Sequence, residues 1–198
     1  RWLQEHFDDE FVKRAQSEGY RSRAVYKLLE IDKKDRLLRP GLRVVDLGAA
    51  PGGWTQIAVQ RVGEKGAVVA MDLLDIEPVP GATFIRGDFR DDDVLQQLLE
   101  QLGGESVDLV LSDMAPNLSG VSAVDIPKAM VLVEMAHDFA RQTLRQGGDL
   151  LMKVFQGEGF DELLRDLRAD FSTVITRKPK ASRGRSREVY LLAKGFKG

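Results

Sequence analysis

The 198-residue sequence contains no cysteine and only two histidines, His6 and His137. Without cysteine there is neither a disulfide framework nor a thiolate metal site, and two histidines cannot build a histidine-rich one. No apolar run approaches the ~18–20 residues that a membrane span needs. No secretory signal pattern is visible at the start, which reads Arg1 rather than Met. These absences predict a cytoplasmic protein with no metal and no membrane contact. What is present is ordinary for a globular chain: 43% hydrophobic and 30% charged residues. The length suits a single domain with a full core.

Charge is unevenly placed. The formal net charge is −2, but residues 13–43 hold ten Lys and Arg against four acids, and residues 177–197 hold eight against one. Residues 44–176 hold ten against twenty-two. Two basic ends around an acidic middle point to a polyanion partner. Solvated charged faces are the plainer alternative.

The middle is organised around Val44-Val45-Asp46-Leu47-Gly48-Ala49-Ala50-Pro51-Gly52-Gly53-Trp54. Two β-branched residues, an acid and a glycine-rich turn predict a strand followed by a helix, with Trp54, Ile57, Ala58 and Val62 on its inner stripe. Gly48, Gly52 and Gly53 let the backbone bend and a ligand come close. The spacing is not G-x-G-x-x-G, and Asp46 ahead of the turn suits a cationic ligand better than a diphosphate. S-adenosylmethionine carries a sulfonium and an ammonium group.

Along the chain, a helix is expected over Asp8–Ser17. A second is expected from an N-cap at Ser22 to about Lys34, with Arg23, Lys27, Glu30 and Lys34 on one face. Strands are expected at 42–47, 67–71, 83–86, 107–111, 149–154, 171–176 and 186–192, alternating with helices until a loop joins the last two. That rhythm predicts an α/β fold: a seven-stranded, mostly parallel sheet with an antiparallel last strand and helices on both faces. Asp91, Asp92 and Asp93 open a helix at its positive end. A long apolar helix runs from Asp125 to about Arg145, ended by Gly147-Gly148, with His137 at its surface or boundary. Residues 177–187 read as a flexible basic loop.

Four acids fall at or just past strand C-termini: Asp46, Asp72, Asp88 and Asp113. Ligands of open α/β sheets bind at that edge, and an acid about 20 residues past the glycine turn takes ribose hydroxyls in dinucleotide sheets. Lys153 ends a strand that reads as buried, where an ammonium is costly to place; a snorkelling lysine is the plainer alternative.

With these residues in view, the chain resembles the FtsJ/RrmJ family of ribosomal RNA 2′-O-methyltransferases over nearly its whole length. The carriers are Asp46-Leu47-Gly48-Ala49-Ala50-Pro51-Gly52-Gly53-Trp54 and Asp113-Met114-Ala115-Pro116-Asn117. The resemblance implies a Rossmann-like S-adenosylmethionine-dependent fold, residues 1–41 being a basic helical segment packed on a 42–198 cofactor core. It implies a Lys27, Asp113, Lys153, Glu188 catalytic set and cofactor contacts among Asp46, Gly48, Gly52, Gly53, Trp54, Asp72, Asp88 and Asp113. The implied substrate is a uridine ribose in large-subunit ribosomal RNA within an assembled 50S particle, methylated by a monomer. Lys153 is then the proton acceptor. Neutralising an ordinary lysine at pH 7 costs about 4.6 kcal/mol, which burial and a nearby cation would reduce. A base N-methyltransferase would want an aromatic near Pro116, and none is there. A nicotinamide oxidoreductase is disfavoured by the glycine spacing. A non-catalytic RNA-binding module would have no use for Lys153 beside Asp113.

Overall fold

Runs of β-branched and aliphatic residues that are apolar on both sides can only be buried between two helical layers, and the fold is built on that requirement. The computed structural model describes Leu3 and residues 9–198; His6 and Asp8 lie outside the described residues. The elements are α1 (Glu10–Glu18), α2 (Val25–Asp35), β1 (Arg43–Leu47), α3 (Gly53–Val62), β2 (Ala67–Asp72), β3 (Ala82–Arg86), α4 (Asp92–Leu102), β4 (Val107–Ser112), α5 (Ser122–Thr143), β5 (Leu144–Phe155), α6 (Phe160–Asp170), β6 (Phe171–Arg177) and β7 (Glu188–Phe196). The sheet order is β3-β2-β1-β4-β5-β7-β6. Strands β1 to β5 pair in parallel, and β7 runs antiparallel to both β5 and β6, as the strand rhythm predicts.

Each face of the sheet has its own core. One face packs Leu98 of α4, Phe139 of α5 and Leu163 of α6 over Val45, Val110 and Leu150. The other packs Val25 and Leu28 of α2 and Ile57 of α3 over Val44, Leu109 and Leu192. The helical segment before β1 thus completes the second layer. The strand order reverses at β1 and β4, which opens the crevice at the C-terminal ends of the strands.

Several expectations are corrected. α1 starts at Glu10, with the Asp9 carboxylate capping it through the Phe11 amide at 2.8 Å. Ser22 is not an N-cap: its carbonyl accepts the Val25 amide in a turn, and α2 begins three residues later. α5 ends at Thr143, with Leu144 already extended. Gly147 and Gly148 are not its stop but lie in a register shift near the start of β5, where Gly147 sits at φ +85°. That left-handed backbone is what selects glycine there.

His137 is not a surface residue. It is 4% exposed, and its Nε2 lies 2.8 Å from Asp170 Oδ2. Burial, helped by the Arg141 guanidinium, holds its pKa below the ordinary value against the pull of Asp170.

The basic loop and the basic helix face are also not free. Arg177 forms two hydrogen bonds to the Asp35 carboxylate, at 2.8 and 2.9 Å. The Lys180 amide donates to Glu30 at 2.8 Å, and Arg23 donates to the Ala181 carbonyl at 2.6 Å. Asp35 and Glu30 of α2, with Arg23 just before it, thus tie that helix to β6 and to the backbone of the loop that follows.

Candidate active site

Two neighbouring constructions meet at the C-terminal edge of the sheet. The first is a cavity of about 560 Å³ lined by Gly48, Asp72, Leu74, Asp88, Asp113 and Leu132, among others. Gly48 has φ +74°, and a Cβ there would sit 2.8 Å from the Met114 backbone nitrogen. Only glycine lets the β1 and β4 loops come this close. Asp72 braces both walls: its Oδ2 accepts the Ala50 amide at 2.8 Å and its Oδ1 the Leu74 amide at 2.9 Å. Asp88 is held by Arg90, whose guanidinium bridges both carboxylate oxygens. That hydrogen bonding keeps the Asp88 carboxyl below its usual range.

The other residues expected at a cofactor are not in the cavity wall. Gly52 is the N-cap of α3 at φ +112°, covered by the Arg21 guanidinium, and Gly53 backs onto Val25. Trp54 is 3% exposed; its indole N–H donates to the Ala24 carbonyl at 2.8 Å and its ring lies 5.7 Å from that of Tyr190. It joins α2 to the sheet. Asp46 is fully buried behind the turn. Thr55 donates its hydroxyl to Oδ2 at 2.8 Å, while Oδ1 has no donor. Burial, with the nearby Asp113 and Asp72 charges, pushes its pKa up to about 7 despite the Thr55 bond.

The second construction contains all four members of the expected catalytic set. Lys153 near the end of β5 donates to the Asp113 carbonyl at 3.1 Å and lies 3.3 Å from Asp113 Oδ1. Lys27 of α2 donates to Glu188 Oε1 of β7 at 2.8 Å. All four side chains are between 12% and 19% exposed: reachable, yet only partly screened by water. Burial pushes the Glu188 carboxyl up, but the Lys27 ammonium, backed by Lys153 and Lys178, outweighs it and holds the group below its usual range. Lys178 reinforces the strand start by donating to the Glu188 and Ser186 carbonyls.

Tyr190, absent from the sequence reading, links the two pairs. It stands opposite Lys153 in the β5–β7 register, and its hydroxyl donates to Asp113 Oδ1 at 2.9 Å. Burial and the carboxylates of Asp113 and Glu188 push its pKa well above the ordinary tyrosine value. It therefore stays a donor. The available signal was strand period: Tyr190 follows Glu188 by two residues and so shares its face.

Glu188 carries measurable stability. Replacing it with Gln leaves Lys27 and its neighbouring cations without a counter-charge in a half-dry site. We expect Glu188→Gln to lower unfolding free energy by about 2 kcal/mol in urea titrations at pH 7. An unchanged midpoint would mean the Lys27 pair is solvated and energetically idle.

Asp113 belongs to both constructions: it lines the cavity and pairs with Lys153. Whatever fills the cavity touches the same carboxylate that orients the lysine. Among the described residues no group of acids and histidines could hold a metal ion, and no helix is long and apolar enough to cross a membrane. The arrangement suits bringing a polar cationic ligand up to a nucleophile whose proton must be removed.

The chain is similar to known ribosomal RNA methyltransferases. The Ribosomal RNA large subunit methyltransferase E of Chromohalobacter salexigens is 62% identical over 197 residues, spanning 100% of this chain and 94% of that protein. Its Legionella pneumophila (strain Corby) counterpart is 60% identical, spanning 99% and 95%. A crystal structure from Plasmodium falciparum, assigned as a ribosomal RNA methyltransferase, superposes with a TM-score of 0.82 at 32% identity, covering 90% of this chain and 100% of that one. The fibrillarin/Nop5p complex shares the fold alone, with a TM-score of 0.59 at 18% identity over 89% of this chain and 85% of that one. The FtsJ-like methyltransferase family model matches residues 20–196, and with it the chain belongs to that family.

Proposed function

We propose that the protein transfers a methyl group from S-adenosylmethionine to the 2′-hydroxyl of a uridine ribose in large-subunit ribosomal RNA, acting as a cytoplasmic monomer on the assembled 50S particle, with residues 1–198 working as one domain. The observation that carries this is the alternating Lys27–Glu188 and Lys153–Asp113 arrangement, with Asp113 shared with the cavity. The relatives' names supply the RNA, and the basic segments flanking the acidic core suit it.

The cavity chemistry fits the cofactor. Asp72, Asp88 and Asp113 offer carboxylate oxygens to hydroxyls, an amino group and a positive charge. Asp72 would take the ribose and Asp113 the methionine end, with Asp88 a further acceptor in the same lining. When bound, S-adenosylmethionine supplies a methyl group activated on its sulfonium.

The chain's own residues do the rest. An ammonium has three donors; on Lys153 one goes to the Asp113 carbonyl, and Oδ1 of the same residue pairs with the charge at 3.3 Å. Donor capacity is left for a substrate oxygen. As the neutral amine, Lys153 accepts the 2′-hydroxyl proton. Tyr190 fixes the Asp113 rotamer by donating its hydroxyl to Oδ1. Lys27, kept in place by Glu188, adds a second cation beside the reacting oxygen. Much of the acceleration comes from alignment of the two reactants. Asp113-Met114-Ala115-Pro116-Asn117 offers no aromatic ring to hold a flipped base, which favours oxygen over a base nitrogen.

The test is transfer of a labelled methyl group from S-adenosylmethionine to unmodified large ribosomal subunits, with nuclease digestion to single nucleosides. Label in 2′-O-methyluridine is expected. Label on a base would redirect the chemistry to N-methylation, and no label despite bound cofactor would leave an RNA-binding role.

A further inference from the structure

The glycine turn and the loop after β2 each supply part of the cavity lining, and each carries backbone groups that something must hold. Asp72 grips both from within, through the amides of Ala50 and Leu74. A second grip comes from outside. Arg21 Nη1 donates to the Pro51 carbonyl at 3.1 Å and also to the Glu77 carbonyl, and Nη2 donates to the Pro78 carbonyl at 2.8 Å. Its guanidinium lies on Gly52, where an added Cβ would come within 2.9 Å of Nη1. Its own backbone is fixed by the Gln56 side chain of α3, which accepts the Arg21 amide at 3.0 Å.

We infer that Arg21 is a positioning residue for cofactor binding, clamping carbonyls of two cavity-lining loops outside the cavity while Asp72 clamps amides of the same two loops within it. The inference rests on the proposed S-adenosylmethionine reading of the cavity. A planar fork with donors in fixed directions spans carbonyls on two loops, whereas a point ammonium does not. Arg21 stands six residues before Lys27. The segment that delivers a catalytic lysine therefore also sets the spacing of the cavity walls.

The test is calorimetric titration of S-adenosylmethionine into wild type, Arg21→Met, Arg21→Lys and, as a control on α3, Arg61→Ala. Thermal midpoints without cofactor and amide exchange of residues 73–81 are measured on the same proteins. Arg21→Met keeps the apolar stem over Gly52. Both Arg21 variants are expected to raise Kd about tenfold, with faster exchange confined to 73–81, midpoints within about 2 °C and the control unchanged. A wild-type Kd in Arg21→Met, full rescue in Arg21→Lys, or a midpoint that falls together with exchange throughout the protein would each overturn the inference. A wild type that binds no S-adenosylmethionine would overturn the cofactor reading itself, a result distinct from the other three.

Discussion

Lys153→Ala is expected to reduce methyl transfer to ribosomal subunits by about a thousandfold or more while leaving the Kd for S-adenosylmethionine within about threefold. The asymmetry follows from the geometry. Among the described residues, the Lys153 side chain makes its hydrogen bond and its ion pair with Asp113, through the carbonyl and Oδ1, and it is not part of the cavity wall. Removing it takes away the proposed proton acceptor without touching Asp72 or Asp88. Asp113 keeps the Tyr190 hydroxyl as a donor and so keeps its orientation. Single-turnover transfer and calorimetry on the same preparation separate the two effects. Equal loss of transfer and of cofactor affinity would show that Lys153 shapes the binding site instead.

The second large effect concerns stability and lies at Asp46. Its folded-state pKa of about 7 stands above the ~3.9 of an unfolded aspartate, so the folded protein holds the proton more tightly. Below pH 4 both states are protonated and nothing is lost. As pH rises from 4 to 7 the unfolded chain releases its proton first, and the fold is progressively destabilised; above 7 the loss levels off. Asparagine carries no such charge, and its amide oxygen can still accept the Thr55 hydroxyl. Relative to wild type, Asp46→Asn should therefore gain about 2–3 kcal/mol of unfolding free energy between pH 5 and pH 8. Urea titrations at unit pH steps measure that difference. A difference independent of pH would show that the buried carboxylate ionises without penalty.

Much of this was readable in advance because the signals were local. Val44-Val45-Asp46 with its glycine turn fixes β1 and α3, and the acids at or just past the ends of β1, β2, β3 and β4 point to one edge of the sheet. Asp72, Asp88 and Asp113 do line the cavity. What sequence could not show were partners far apart in the chain. Trp54 stands in a cofactor motif, yet its ring is consumed by α2 and Tyr190. The charges of Arg23, Glu30 and Arg177 look solvated until Ala181, Lys180 and Asp35 arrive beside them. Gly147-Gly148 resembles a helix stop because local propensity cannot see β4, whose pairing pulls Leu144 into the sheet.

The sheet order has a consequence for how the protein is made. β7 is the last strand in the chain but not an edge: it is inserted between β5 and β6. Glu188 and Tyr190 ride on it, and Glu188 meets Lys27 across 161 residues of chain. During synthesis, which proceeds from the N-terminus, α2 and the glycine turn can form early. Lys27, however, has no carboxylate partner, Asp113 lacks its tyrosine donor, and β5 keeps an open flank until the final strand leaves the ribosome. A nascent chain that has not yet made β7 can offer the cavity, but Lys27 and Asp113 are still without Glu188 and Tyr190.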